Sequence, residues 1–149
     1  MSEIYKRIKQ DIVVSMKEKN GEIVVLRSLD SAIQLSIINS KTSVITDDVV
    51  ITVLEKSIKQ RNESIDAFTK GNRDDLVQKE KSEVEILKRY LPKQLTEDEI
   101  ATIIDDVIIE TKASSIKDMG NVMKVVMTKT KGRFDSKKIS SIIKQKLSS

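Results

Sequence analysis

Leu95-Thr96-Glu97-Asp98-Glu99-Ile100-Ala101-Thr102-Ile103-Ile104-Asp105-Asp106-Val107-Ile108 is the stretch that decides the fold. Thr96 followed three residues later by Glu99 is a capping box, and Leu95 with Ile100 is the hydrophobic staple that accompanies one. Behind this start, Ile100, Ile103, Ile104, Val107 and Ile108 recur at steps of three and four, which is one face of an α-helix. By propensity alone Val107-Ile108-Ile109 reads as strand, because β-branched side chains lose χ1 freedom in a helix. The cap and the longer period decide for helix, and the same argument applies to Ile12-Val13-Val14, Ile23-Val24-Val25 and Val49-Val50-Ile51-Thr52-Val53. The expected fold class is all-α.

Before this helix, Pro92 disfavours α geometry at the residue preceding it and marks a boundary. An N-terminal helical domain of about four helices is expected over residues 1–92, and a small three-helix domain over 93–149. The first helix carries Ile4, Ile8, Ile12 and Met16 and is expected to end at Asn20-Gly21. The second carries Val25, Leu26, Leu29, Ile33 and Ile37. Thr46 is the expected cap of the third, which has the stripe Val50, Leu54, Ile58, Ile65 and Phe68 and stops at Gly71. Asn72 is the expected cap of the fourth, whose stripe is Leu76, Val84, Leu87 and Leu91. On the C-terminal side, Ser115 with Asp118 opens a sixth helix through Met119, Val122, Met123 and Val126. Gly132 breaks it, and Asp135 caps a seventh with Phe134 and Ile139 as its staple. Ser40–Ile45 and Pro92–Thr96 are the joints at which a protease is expected to cut first.

Composition excludes much chemistry. The 149 residues include no Cys and no His, which removes disulfides, thiol nucleophiles, the usual zinc ligands and imidazole acid-base catalysis. The Gly-rich phosphate loops of nucleotide enzymes are also absent. Asp106 and Glu110 stand four apart, but no oxygen-rich loop or third ligand accompanies them, so no metal is expected. No cofactor and no catalytic residue is expected either. Apolar residues make up 38% and charged residues 34%, with no run long enough to span a bilayer. The N-terminus resembles neither a signal nor a transit peptide, so no membrane contact and a cytoplasmic location are expected.

Charge is unevenly distributed. Residues 1–110 hold 17 Lys+Arg against 21 Asp+Glu, a balance of −4, whereas residues 111–149 hold 10 against 2, a balance of +8. Asymmetry of this kind points to a polyanion partner for the basic part. Its densest tract is Met127-Thr128-Lys129-Thr130-Lys131-Gly132-Arg133-Phe134. Here three cations alternate across a helix end, and Gly132 would let a ligand approach the backbone closely. The plain alternative is that cations at a helix C-terminus balance the macrodipole. Lys137, Lys138, Lys144 and Lys146 follow with no acid nearby, which favours polyanion binding. Phe134 could stack an unpaired base, although its staple position argues for packing. In the third helix, Lys59-Gln60-Arg61-Asn62-Glu63-Ser64 is either a solvated face or a polar contact with a neighbour.

Six motifs then form a recognisable series. Arg27-Ser-Leu-Asp-Ser-Ala-Ile33, Lys59-Gln-Arg-Asn-Glu-Ser64, Gly71-Asn-Arg-Asp-Asp-Leu76, Tyr90-Leu-Pro-Lys-Gln-Leu95, Ala113-Ser-Ser-Ile-Lys-Asp-Met-Gly-Asn-Val-Met123 and Lys129-Thr-Lys-Gly-Arg133 resemble, in order and spacing, the YqeY-like family. The resemblance implies a C-terminal helical domain similar to the tail of GatB, a component of the glutamine-dependent aspartyl/glutamyl-tRNA amidotransferases in which that tail is associated with holding tRNA. Amidation belongs to other domains of that enzyme. Gly120, Val122, Met123, Met127, Lys129, Lys131, Gly132 and Arg133 match the family pattern. The chain departs from it with Lys124 and Ser136 where Gly is usual, Thr128 where Pro is common, and Phe134 where Ala is common.

The expectation is therefore a non-catalytic accessory protein that binds tRNA or another structured RNA by its phosphate backbone. The residues expected to do so are Lys124, Lys129, Lys131, Gly132, Arg133, Lys137 and Lys138. By resemblance only, a partner amidotransferase or aminoacyl-tRNA synthetase is implied, and with it carbon-nitrogen ligation with glutamine as amido-N-donor. A protein-interaction module is the remaining alternative.

Overall fold

The computed structural model describes residues 2–148; Met1 and Ser149, the outer limits of the two expected domains, lie outside them. Among the described residues there are seven α-helices and no strand. They are α1 (Glu3–Glu18), α2 (Glu22–Ser40), α3 (Asp47–Lys70), α4 (Asp74–Lys88), α5 (Glu97–Thr111), α6 (Met119–Thr130) and α7 (Ser136–Ser148), with a single 3-10 turn, Ile116–Asp118, before α6. The chain divides into two compact units, one ending at Leu91 and the other beginning at Pro92. Every β-branched run singled out in the sequence is helical. Burial explains why: each run puts at least one residue in the core, Ile12, Val25, Val50 and Val107 among them, and that packing outweighs the few tenths of a kcal/mol that each branched residue costs in helix propensity, although Val13, Val14, Val24 and Ile109 are exposed.

In the first unit, α1 to α4 enclose Ile8, Leu26, Ile33, Val50 and Leu54, none of which has any exposed surface. Leu87 and Tyr90 close this core at 1% and 2% exposure. The Thr46 hydroxyl accepts from the Val49 backbone N–H and starts α3 as expected. Ser2 does the same for α1 toward Tyr5, and its hydroxyl also donates to Asp47 at the start of α3.

Several local expectations are corrected. Lys19, at φ 54°, ends α1, while the Asn20 side chain instead accepts from the Glu22 N–H at the start of α2. Asn72 does not cap α4: it occupies the left-handed region at φ 57°, and the cap position falls to Arg73. An Asn tolerates that region because its short side chain costs little there. On α4, Val77 is buried where Leu76 was expected, and Leu91 is only partly covered. The buried part of α3 is Val50, Ile51, Val53 and Leu54, with Ile58, Ile65 and Phe68 partly covered. In the polar segment of α3, Arg61 is an interhelical contact, with its Nε 3.3 Å from the Glu83 carboxylate of α4 and both side chains less than a fifth exposed.

Tyr90 is the polar anchor of the first unit. Its hydroxyl donates to the Asp11 carboxylate at 2.6 Å, and the Arg7 guanidinium lies 5.4 Å from its ring centre. Burial, reinforced by Asp11, pushes its ionisation well above the ordinary phenol range. Tyr5 donates to Asp30 at 2.7 Å and is also raised, mainly by burial.

In the second unit, Ile100, Ile104, Val107, Val122, Val126, Ile139 and Ile143 are fully buried, so α5, α6 and α7 each contribute a stripe. The capping box of Thr96 and Glu99 is present in both directions, and a second one, from Ser115 and Asp118, opens the 3-10 turn rather than α6 itself. The Asp135 carboxylate accepts from the Lys137 N–H at 2.9 Å and caps α7.

Two outcomes follow from these contacts. The chain has two tyrosines and no Trp, so tyrosinate absorbance reads Tyr5 and Tyr90 cleanly. A raised phenol pKa contributes stability that is complete below the unfolded value of about 10 and is lost as pH rises through the folded value. Native protein should therefore show less tyrosinate at about pH 10 than the unfolded chain, with Tyr90 ionising only as the protein unfolds above it, whereas Tyr90→Phe should lose about 1–2 kcal/mol at neutral pH. Trypsin should cut after Lys41, which opens the exposed stretch to Val44, before it cuts after Lys93, whose carbonyl accepts from Arg133. Peptide masses at early digestion times decide the order.

Candidate nucleic-acid interface

The basic tract is built around one turn. α6 runs to Thr130, which is buried and whose hydroxyl bonds back to the Val126 carbonyl at 2.8 Å. Lys131 ends the helix in extended backbone, and Gly132 reverses the chain at φ 73°, a conformation that costs any side-chain-bearing residue about 1–2 kcal/mol. Three hydrogen bonds then tie the turn to the segment that leads into α5. The Leu95 N–H donates to the Arg133 carbonyl at 2.8 Å, the Gln94 amide to the Gly132 carbonyl at 2.7 Å, and Arg133 Nε to the Lys93 carbonyl at 3.2 Å.

This geometry sorts the predicted residues into two groups. Gly132 is buried and its carbonyl is already engaged, so it shapes the turn and does not offer its backbone to a ligand. Arg133 and Lys131 are half-buried, and part of the Arg133 guanidinium is spent on Lys93. Lys129 is exposed but lies 3.2 Å from Glu110 of α5. Lys146, expected to have no acid nearby, lies 2.7 Å from Asp105. Those acids sit far back in the sequence, and only the packing of α5 against α6 and α7 brings them close.

The second group is exposed. Lys124 sits on α6 opposite the buried stripe of Val122, Val126 and Thr130, and Lys137, Lys138 and Lys144 sit on α7 opposite Ile139, Ile143 and Leu147. Among the described residues no carboxylate lies within ion-pair distance of these four lysines. Lys137 and Lys138 share an open groove with Phe134, Ser141, Ile142 and Glu97 of α5. Sequence reading missed Gln94 and Lys93 as supports of the turn and Glu97 as a groove residue. None of them carries a linear signal, because their roles depend on contacts about forty residues away.

Two carboxylates in this unit are held below their ordinary range. Glu99 is lowered first by the Thr96 backbone N–H, then by the Thr96 hydroxyl, with the positive charges of Lys93 and Arg133 adding to it. Asp118 is lowered by the N–H groups of Ser114 and Ser115. Both are structural caps.

The fold and this surface define a class: a small all-α protein with a basic face on its last two helices. A family model described as Yqey-like protein matches residues 5–147, and the chain belongs to that family. Its relatives include a Pyrenophora tritici-repentis protein named Altered inheritance of mitochondria protein 41, mitochondrial. That protein is 31% identical, over 94% of this chain and 81% of its own length. Proteins of the same name from Lachancea thermotolerans and Saccharomyces cerevisiae are 32% and 28% identical, over 72% and 89% of this chain and 59% and 70% of their own lengths. Among the described residues no helix is long and apolar enough to cross a membrane.

The turn provides a test of its own. Gly132→Ala should destabilise the protein by about 1–2 kcal/mol because of the positive φ. Gly120→Ala, on α6 with nothing within 4 Å of the added Cβ, should be neutral or stabilise by up to about 1 kcal/mol. Denaturant midpoints of the two variants should move in opposite directions or differ by at least the cost of the turn.

Proposed function

We propose that this chain is a non-catalytic accessory protein that binds RNA, with tRNA as the ligand class, through cations on α6 and α7. The observation that carries the reading is the set of exposed lysines without an acid partner, Lys124, Lys137, Lys138 and Lys144. Open cations on the outer faces of two adjacent helices, in the part of the chain whose charge balance is +8, suit phosphate oxygens. Such contacts fix register and orientation without reading sequence. Lys131 and the remaining donors of Arg133 extend the basic surface at the turn. Lys129 joins it only by exchanging Glu110 for a phosphate.

Family membership supports the same ligand class, since residues 113–133 carry the motifs that resemble the tRNA-associated tail of GatB. That likeness also favours a second reading, in which the chain works beside a glutamine-dependent amidotransferase or a synthetase. The cytoplasm, or the mitochondrion that the relatives' names print, would suit either role, since both contain tRNA.

Affinity for tRNA should fall steeply with salt. The four open lysines alone imply a log-log slope of roughly −2.8 to −3.6, because each neutralised phosphate releases condensed counterions. Replacing Lys124, Lys137 and Lys138 together with Glu should flatten the slope and weaken binding strongly, with the helical circular dichroism unchanged. The same exchange at Lys56 and Lys59 of α3 should have little effect. Unchanged tRNA affinity of the triple variant in about 100 mM salt, where screening is incomplete, would leave the lysines as a solvated face.

A further inference from the structure

The groove on α7 has a composition that phosphate contact alone does not explain. It is an open groove of about 420 Å³, lined by Glu97, Phe134, Lys137, Lys138, Ser141 and Ile142. That volume falls in the roughly 300–1,000 Å³ range of small-ligand sites. Phe134 and Ile142 are each partly buried against the core of the second unit, and what remains open of them gives the groove an aromatic and aliphatic surface. Around that surface stand two ammonium groups, one hydroxyl and one carboxylate. A bare phosphate would gain nothing from the apolar surface and would be repelled by Glu97. A purely aliphatic side chain would leave both lysines without a partner.

Phe134 is also well fixed. It immediately precedes Asp135, whose carboxylate caps α7, and immediately follows Arg133, whose carbonyl is bonded to Leu95. A ring whose backbone is tied on both sides and which packs partly on the core loses little freedom when a planar group stacks on it. Base-aromatic stacking tolerates any sequence because every base has a π-face.

We propose that this groove holds one unstacked nucleotide of a single-stranded RNA segment, its base against Phe134 and Ile142 and its flanking phosphates on Lys137 and Lys138. The proposal rests on the RNA reading above and adds a base-binding site to it. Glu97 stands where a carboxylate can accept from an exocyclic amino group, as acidic side chains do with cytosine N4. Bases that carry such a group are therefore favoured over uracil.

The test uses the full chain and three RNA hairpins of equal stem. One carries a single-stranded 3′ extension of four cytidines, one the same extension in uridines, and one an extension of four abasic nucleotides with the same phosphates. The parent protein should bind the cytidine extension at least about fivefold more tightly than the abasic one, the lower end of what stacking one base supplies. Phe134→Leu keeps an apolar group on the core and should abolish that preference while leaving the salt dependence of hairpin binding intact. Since Phe134 also packs, Glu97→Gln is the second variant, and it should narrow the preference for cytidine over uridine without changing thermal stability appreciably. Loss of preference in either variant supports the site. Equal affinity of the parent protein for base-bearing and abasic extensions overturns it while leaving backbone binding standing, as does a preference that survives both substitutions. Binding of no hairpin at low salt removes the RNA reading itself, and this site with it.

Discussion

The lacing of Lys93–Leu95 to the turn at Gly132–Arg133 fixes how the ends of the three helices of the second unit meet. A chain that reverses between two helices leaves backbone donors and acceptors that need partners once they are covered. Here two of them, the Gly132 and Arg133 carbonyls, are satisfied by a segment about forty residues earlier, and the Arg133 side chain adds a third bond to the same segment. One consequence is that the start of α5, the end of α6 and the start of α7 meet at a single point. Glu97 lies two residues beyond Leu95, and Phe134 is the residue after Arg133, so the same ties that close the turn bring these side chains to one groove. The positive φ of Gly132 and the polar reach of Gln94 are thus structural requirements of the site, although neither is placed to touch a ligand.

Packing also divides the positive charge of this unit into two populations. α5 carries most of its acids, and two of them, Asp105 and Glu110, reach Lys146 and Lys129. Ion pairs this exposed contribute about 0–1 kcal/mol, so their main effect is to orient side chains and locally neutralise charge. The lysines outside their reach, on the outer faces of α6 and α7, stay exposed. A net charge counted along the sequence cannot make this distinction, since the neutralising groups come from another helix.

The first unit follows the same logic with a different aim. Its helices carry β-branched residues that propensity disfavours, and burial of Ile8, Ile33 and Val50 outweighs that cost. Its polar contacts, Tyr90 with Asp11 and Arg61 with Glu83, fix which helix faces which, because each joins groups that would be costly to cover without a partner. They read as devices of register.

The helical architecture and its punctuation were legible in the chain's local chemistry. Thr46, Thr96 with Glu99, Ser115 with Asp118, and Asp135 act within three residues of where they stand, so their roles are written locally and could be read directly. Periodicity likewise located most of the core, including Ile100, Ile104 and Val107. Reading failed at Lys19 and Asn72, where neighbouring residues compete for one left-handed position and the choice depends on how the next helix packs. Packing alone settled which cations are open, what holds Arg133, and that Glu97 and Phe134 line one groove. Those facts are distances between residues tens of positions apart, and side-chain chemistry at one position carries no information about which remote carboxylate or carbonyl the fold will bring to it.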